Sequence, residues 1–134
     1  MKNWNYARAF QAAVIGIAML GSTSLARADI KDYEFQLVDQ TTKKGDAIIA
    51  VRLVHKPDGK PVSNAVIFAK RLDMAPDGME TMKTTIEPLP STEPGVYRFK
   101  AAVVMEGAWQ LSLGAKVQGE TGTVETKLVL KALP

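Results

Sequence analysis

One run near the carboxyl terminus alternates between apolar and other residues, and it constrains the fold more than any other feature. Trp109, Leu111, Leu113, Ala115 and Val117 stand two residues apart, so they share one face of an extended chain. A helix would place the same five residues on two opposite sides of its axis. The run therefore predicts a β-strand with one face buried and the other face in solvent.

Similar short runs recur along the chain, separated by turn signals. Segments such as Pro57-Asp58-Gly59 favour tight turns, because proline fixes φ and glycine accepts a positive φ. Seven strands are predicted, over residues 33–37, 47–54, 65–72, 82–86, 96–104, 107–117 and 124–130. Polar turns are predicted between them, including residues 41–45 and 56–61. Because no amphipathic helical pattern follows residue 28, the predicted fold is all-β, an immunoglobulin-like antiparallel β-sandwich.

The first 28 residues have the pattern of a secretory signal. Basic residues precede an apolar stretch at residues 12–20, and Ala26-Arg27-Ala28 has the form of a cleavage site. Polar residues 21–24 interrupt the stretch, which is shorter than the about 20 apolar residues that span a bilayer. We therefore expect a helical signal peptide over residues 1–28, cleavage after Ala28 and a periplasmic location, with no stable membrane insertion after cleavage.

The excess positive charge is confined to that segment. The chain has 17 basic and 14 acidic residues, and three of the basic residues precede Asp29. Removing these three leaves 14 basic against 14 acidic residues in residues 29–134, a length that fits one domain. A neutral domain favours neither nucleic acid nor an anionic membrane surface as its partner.

The composition excludes several classes of catalytic site. The chain has no cysteine and a single histidine, His55, which excludes disulfides, thiol catalysis and a zinc site with several imidazoles. No serine lies in a Gly-x-Ser-x-Gly turn, and neither a P-loop nor a dinucleotide-binding fingerprint is present. We therefore expect that the protein is not an enzyme.

Methionine is the residue type whose distribution suggests a site. The four methionines after residue 28 are Met74, Met79, Met82 and Met105. Thioethers are soft, neutral ligands that suit Cu(I) or Ag(I), with His55 as an optional ligand and the Trp109 ring as a lid. However, methionine also fills irregular gaps in cores, Trp109 has the phase of a core residue, and a single histidine at a strand end is commonly exposed. Clustering alone leaves both interpretations open.

Four sequence blocks occur in an order that resembles a known family. They are Asp58-Gly59-Lys60-Pro61-Val62, the loop with Met74, Met79 and Met82, Pro94-Gly95-Val96-Tyr97, and Met105-Glu106-Gly107-Ala108-Trp109. Over residues 33–130 the chain resembles the YtkA-like domain family, which is related to the FixH family. The resemblance implies a small exported immunoglobulin-like domain that accompanies heavy-metal efflux or copper delivery, with ligands in the methionine loop and at Met105.

Two functions remain open at the level of sequence. The first is a periplasmic accessory protein that binds Cu(I) or Ag(I) through methionine thioethers. It would exchange the ion with an envelope protein of a metal-efflux or oxidase-assembly system. The second is a non-catalytic immunoglobulin-like interaction module of the cell envelope with no metal site. Geometry separates the two, because ligands of one ion must converge.

Overall fold

The computed structural model describes residues 29–134, and the predicted signal peptide with its cleavage site lies outside the described residues. The strands are β1 (Tyr33–Leu37), β2 (Thr41–Lys43), β3 (Gly45–His55), β4 (Lys60–Pro61), β5 (Ala65–Met74), β6 (Met79–Thr84), β7 (Ile86–Leu89), β8 (Val96–Val103), β9 (Gly107–Val117) and β10 (Val124–Leu133). Two single 3-10 turns accompany them, Ile30–Asp32 and Ala75–Asp77. Within residues 29–134, no helix has the length and apolar character needed to cross a membrane.

The strands form two sheets that pack face to face. The first sheet has the order β1-β3-β8-β7, with β4 paired to β3, and the second has the order β2-β10-β9-β5-β6. Neighbouring strands are antiparallel except β2, which runs parallel to β10. The predicted immunoglobulin-like antiparallel β-sandwich is confirmed.

The core lies between the sheets and is built from alternate strand residues. Its largest fully buried side chains are Trp109, Phe99, Leu53, Leu72, Met74, Leu111 and Leu130. Trp109 is 0% exposed, which confirms that the odd-numbered phase of β9 marks the buried face. Each such side chain contributes about 1.5–3 kcal/mol by leaving water, and no disulfide supplements this term.

Three segments differ from the sequence-based prediction. The predicted turn at residues 41–45 contains β2, because these polar residues pair with the distant strand β10, which local periodicity cannot show. The predicted turn at residues 56–61 similarly ends in the short strand β4. The strand predicted at residues 82–86 is divided between β6 and β7, and β7 includes Pro88. Proline is tolerated there because β7 is an edge strand that pairs only with β8 among the described strands.

The antiparallel pairing of β3 and β8 defines two ends of the sandwich. Gly45 pairs with Val103, whereas Arg52 pairs with Val96. The loop after β8 and the beginning of β9 therefore lie at the end where β3 begins. We call this the methionine end, defined by Met74, Met79, Met105 and Gly107. The opposite end is the histidine end, defined by Tyr33, His55, Asp58 and Glu120.

Candidate functional site: the methionine end

The turn between β5 and β6 carries one methionine on each side. Met74 ends β5, Met79 begins β6, and the two are cross-strand neighbours. Between them lies the 3-10 turn Ala75–Asp77, which ends at Gly78 with a left-handed φ of 75°. The Asp77 carboxylate accepts a hydrogen bond of 3.0 Å from the backbone N–H of Ala108. This bond fastens the turn to β9, directly after the segment that contains Met105.

Met74 and Asp77 converge on a glycine. A Cβ atom built on Gly107 would lie 2.8 Å from Met74 Cε and 2.5 Å from Asp77 Oδ2. Gly107 also has a φ of 133°, which side chains rarely adopt. A glycine is therefore required at the point where the turn meets β9. Because Met74 is 0% exposed, its side chain forms the floor of this end and belongs to the core.

Met79 and Met105 are the methionines that reach the surface, and each is 36% exposed. Met105 lies in the bend that precedes β9, which begins at Gly107 as predicted. The Met105 carbonyl accepts a hydrogen bond of 2.9 Å from Trp109 Nε1. Two exposed thioethers thus lie at the same end, on segments held by the Asp77 and Trp109 hydrogen bonds.

Trp109 contributes to this end from below the surface. Its ring is completely buried in the core, so it is not placed as a lid over a surface ion. The indole N–H instead holds the backbone at Met105. The lid suggested from the sequence is therefore corrected to a supporting role.

The surroundings of Met82 differ from those of the exposed Met79 and Met105. Its side chain is partly buried and packs against the core. The sequence treated all four methionines as equal candidate ligands. The structure separates them into two exposed thioethers, Met79 and Met105, and two that pack, Met74 and Met82.

His55, the optional ligand proposed from the sequence, is not brought to the methionine end. It ends β3 and pairs with Tyr33 of β1. The 11 residues of β3 separate it from Gly45 by roughly 30 Å, far beyond the reach of a side chain. The physical reason is the register of β3, which sends its last residue to the opposite end of the sandwich.

The histidine end is a network of polar side chains. His55 Nδ1 lies 3.0 Å from Asp58 Oδ1, and the Tyr33 hydroxyl donates a hydrogen bond of 2.8 Å to Glu120. Burial, followed by the hydrogen bond to Glu120, raises the pKa of Tyr33 to about 12. The backbone N–H of Lys60, followed by the His55 side chain, lowers the pKa of Asp58. His55 Nε2 is buried and has no hydrogen-bond partner among the described residues.

The described residues contain no cluster of the commoner metal ligands. Within residues 29–134, no three side chains of His, Cys, Asp or Glu gather in a way that could hold a metal ion. The soft donors exposed at the methionine end are the thioethers of Met79 and Met105. The sequence did not reveal the roles of Asp77, which it predicted to lie in a Pro-Asp-Gly loop, and Gly107, which it predicted to begin a strand. Their spacing from Met74 and Trp109 was the available signal.

Solved structures similar to this chain share little of its sequence. A DUF4426 family protein from Pseudomonas aeruginosa PAO1 is 11% identical with a TM-score of 0.50, covering 76% of this chain and 89% of that one. The ZirS C-terminal domain is 13% identical with a TM-score of 0.46, covering 100% of this chain and 84% of that one. The filamin domain of Lin-41 is 16% identical with a TM-score of 0.44, and the match covers 76% of this chain and 92% of that one. At these identities, likeness concerns the fold alone.

Sequence comparison identifies the family. No curated protein matches the sequence significantly. The YtkA-like family matches residues 27–114, well over half of the 134 residues. The matched span runs from the start of the described domain into β9, and it includes both surface methionines and Gly107. The chain therefore belongs to the YtkA-like family.

Proposed function

We propose that this YtkA-like domain is a non-catalytic, exported accessory protein that binds Cu(I) or Ag(I) at its methionine end. The observation that carries the proposal is that Met79 and Met105, on segments at the same end of the sandwich, are each 36% exposed. Met79 follows the turn that Asp77 fastens to β9, and Met105 lies in the bend that precedes β9. The donor set is narrower than the one suggested from the sequence, because Met82 packs against the core and His55 lies at the opposite end.

The chemistry of the end suits a soft monovalent ion. Thioether sulfur is uncharged and polarisable, and such donors select Cu(I) over harder cations. A thioether binds without losing a proton, so that binding persists in acid. The Asp77 carboxylate beside Gly107 adds a negative charge near the site, which favours a cation electrostatically. Met74 and Trp109 are completely buried, so that water is excluded from the core side of this end.

The exposure of the donors fits transfer of the ion rather than permanent storage. Two surface thioethers leave coordination positions that a partner's own ligands can occupy. Following the family resemblance, the partner is an envelope protein of a metal-efflux or copper-oxidase assembly system. The alternative function is a non-catalytic interaction module without a metal site.

Titration with Cu(I) against a chelator of known affinity tests the proposal. The critical variant is Met79→Leu combined with Met105→Leu, and the matched control is Met82→Leu, since leucine nearly preserves volume. We expect one equivalent to bind more tightly than micromolar, an affinity loss of at least about 10-fold in the double variant, and no loss in the control. Wild-type affinity weaker than micromolar would favour the interaction module instead.

Export is tested separately by cell fractionation and mass spectrometry of the purified protein. The proposal expects a periplasmic protein whose first residue is Asp29. A cytoplasmic protein that retains residues 1–28 would contradict the export step without affecting the titration result.

A further inference from the structure

The neutral domain has an uneven charge distribution that its total charge conceals. Strand register places six exposed basic residues on the outer face of the second sheet: Lys43, Arg71, Lys83, Lys116, Lys127 and Lys131. Among the residues that register assigns to this face, two are acidic. Glu125 is exposed, whereas Asp73 is buried and accepts a hydrogen bond from Arg71. We call this surface the basic face.

The outer face of the first sheet provides an internal comparison. Register gives it three acidic residues and three basic ones: Glu34, Asp46, Glu87, Arg52, Arg98 and Lys100. Glu87 and Lys100 are direct cross-strand neighbours, so that opposite charges face each other. Charge is therefore balanced on one side of the sandwich and strongly positive on the other.

The basic face also exposes large apolar side chains. Val66 is 67% exposed, Phe68 57%, Val129 53% and Leu133 40%. Phe68 lies at the β5 bulge between Ile67 and Ala69, and its ring carbon Cζ would lie 3.2 Å from a Cβ atom on Gly114. The glycine thus allows the ring to lie across the outer surface of the sheet.

The apolar and basic residues are interleaved on the strands. Val129 stands between Lys127 and Lys131 on β10, and Val66 is the cross-strand neighbour of Lys116. The surface therefore combines positive charge with apolar contact over the length of a ten-residue strand, roughly 30 Å. A partner must offer negative charge and apolar contact over the same area.

We propose that the basic face docks on an anionic phospholipid surface. Phosphate groups at the bilayer interface neutralise the basic side chains, and the apolar side chains contact the acyl boundary beneath. The phosphates of a nucleic acid would pair with the basic side chains but would leave the four exposed apolar side chains without apolar contacts. An acidic protein segment would cover only part of the face. Met105 lies in the bend that precedes β9, at the methionine end and outside the strands that form the basic face.

Vesicle co-sedimentation tests the docking surface. The test uses residues 29–134, which contain both sheets and the entire described core, with folding checked by circular dichroism. The excluded segment 1–28 would itself bind lipid. We expect binding to phosphatidylcholine vesicles with about 30% phosphatidylglycerol, little binding to pure phosphatidylcholine, and release at about 0.5 M salt because charges are then screened.

Charge-reversal variants locate the surface. Lys127→Glu with Lys131→Glu should lower vesicle affinity by at least about 30-fold, since each basic residue near an anionic surface contributes more than a factor of five. The matched control, Arg52→Glu with Lys100→Glu, changes the total charge equally on the balanced face and should lower it by less than about 3-fold.

Three results would overturn the proposal: no binding to the anionic vesicles at about 0.05 M salt, equal loss in the two double variants, or binding to soluble polyglutamate as tight as to vesicles. The last would indicate an acidic protein partner. None of these results affects the metal titration, so the two proposals fail separately.

Discussion

The two ends of the sandwich differ in the kinds of side chain that they bring together. At the methionine end, apolar sulfur side chains lie above a buried tryptophan, with Asp77 joining the turn to β9. At the histidine end, Tyr33, His55, Asp58 and Glu120 form polar contacts near the surface. Among residues 29–134, the two exposed thioethers and the imidazole of His55 lie at opposite ends of the sandwich, so that they cannot bind one ion together.

Removing Trp109 should produce the largest loss of stability, because its completely buried ring supports the methionine end. We expect Trp109→Ala to lower the free energy of unfolding by about 3–5 kcal/mol, through lost burial and a cavity. Urea unfolding measures this. Trp109→Phe is the matched variant, which retains much of the burial and loses the hydrogen bond to Met105. A loss below about 1.5 kcal/mol for Trp109→Ala would contradict a supporting role.

Gly107→Ala should have the next largest effect, because the new methyl group would collide with Met74 and Asp77. Its backbone also has a φ of 133°. We expect a loss of about 2–3 kcal/mol in urea unfolding. Gly119→Ala is the control, since Gly119 has a φ of 91° and no neighbouring atom within 4 Å of an added Cβ. If both variants lose the same free energy, the close approach at the methionine end has no energetic consequence.

Tyr33→Phe tests the histidine end and should cost about 1 kcal/mol at neutral pH, the net value of a typical hydrogen bond. It should also change the alkaline response. Because the pKa of Tyr33 is raised to about 12, folding favours the neutral phenol. This stabilisation is fully present below the unfolded pKa of 10 and is lost as pH rises through about 12.

The variant should therefore show a smaller fall in stability above pH 10 than the wild type, measured by urea unfolding across that range. Identical alkaline profiles would contradict a raised pKa of Tyr33 in the folded state, whose causes are burial and then the hydrogen bond to Glu120.

Low pH should destabilise the protein at the methionine end through protonation of Asp73, which immediately precedes Met74. Burial raises the pKa of Asp73, but the hydrogen bonds from Arg71 and from the Ala75 N–H outweigh it, so the pKa lies below 3.8. The stabilisation is present above the unfolded pKa of 3.8 and is lost as pH falls through the folded value. We expect Asp73→Asn to flatten the acid limb of the stability profile. If the variant and the wild type lose stability equally at low pH, the loss arises from groups other than Asp73.

Local periodicity predicted the parts of the fold that depend on one segment at a time. The alternation from Trp109 to Val117 correctly identified β9 and its buried face. It could not reveal β2, whose partner β10 lies about 90 residues away in sequence. It also could not place His55, because only the pairing of β3 with β8 determines which end that residue reaches.

The sequence did not reveal the basic face, for a related reason. Total charge predicted no anionic partner, since basic and acidic residues after residue 28 are equal in number. The separation appears only when sheet register assigns residues such as Lys116 and Lys127 to the same surface. The methionine cluster was visible in the sequence, but exposure of Met79 and burial of Met74 depend on the β5–β6 turn and on Gly107.

The most direct test of the central claim is NMR of the methionine methyl groups during titration with Ag(I), an ion that does not change redox state in the experiment. Coordination by a thioether shifts the resonance of its own methyl group. We predict saturable shifts for Met79 and Met105 at one equivalent, with Met82 unchanged and the His55 ring resonances unaffected. Unshifted methyl resonances at Met79 and Met105, or a response centred on His55, would contradict a soft-metal site at the methionine end.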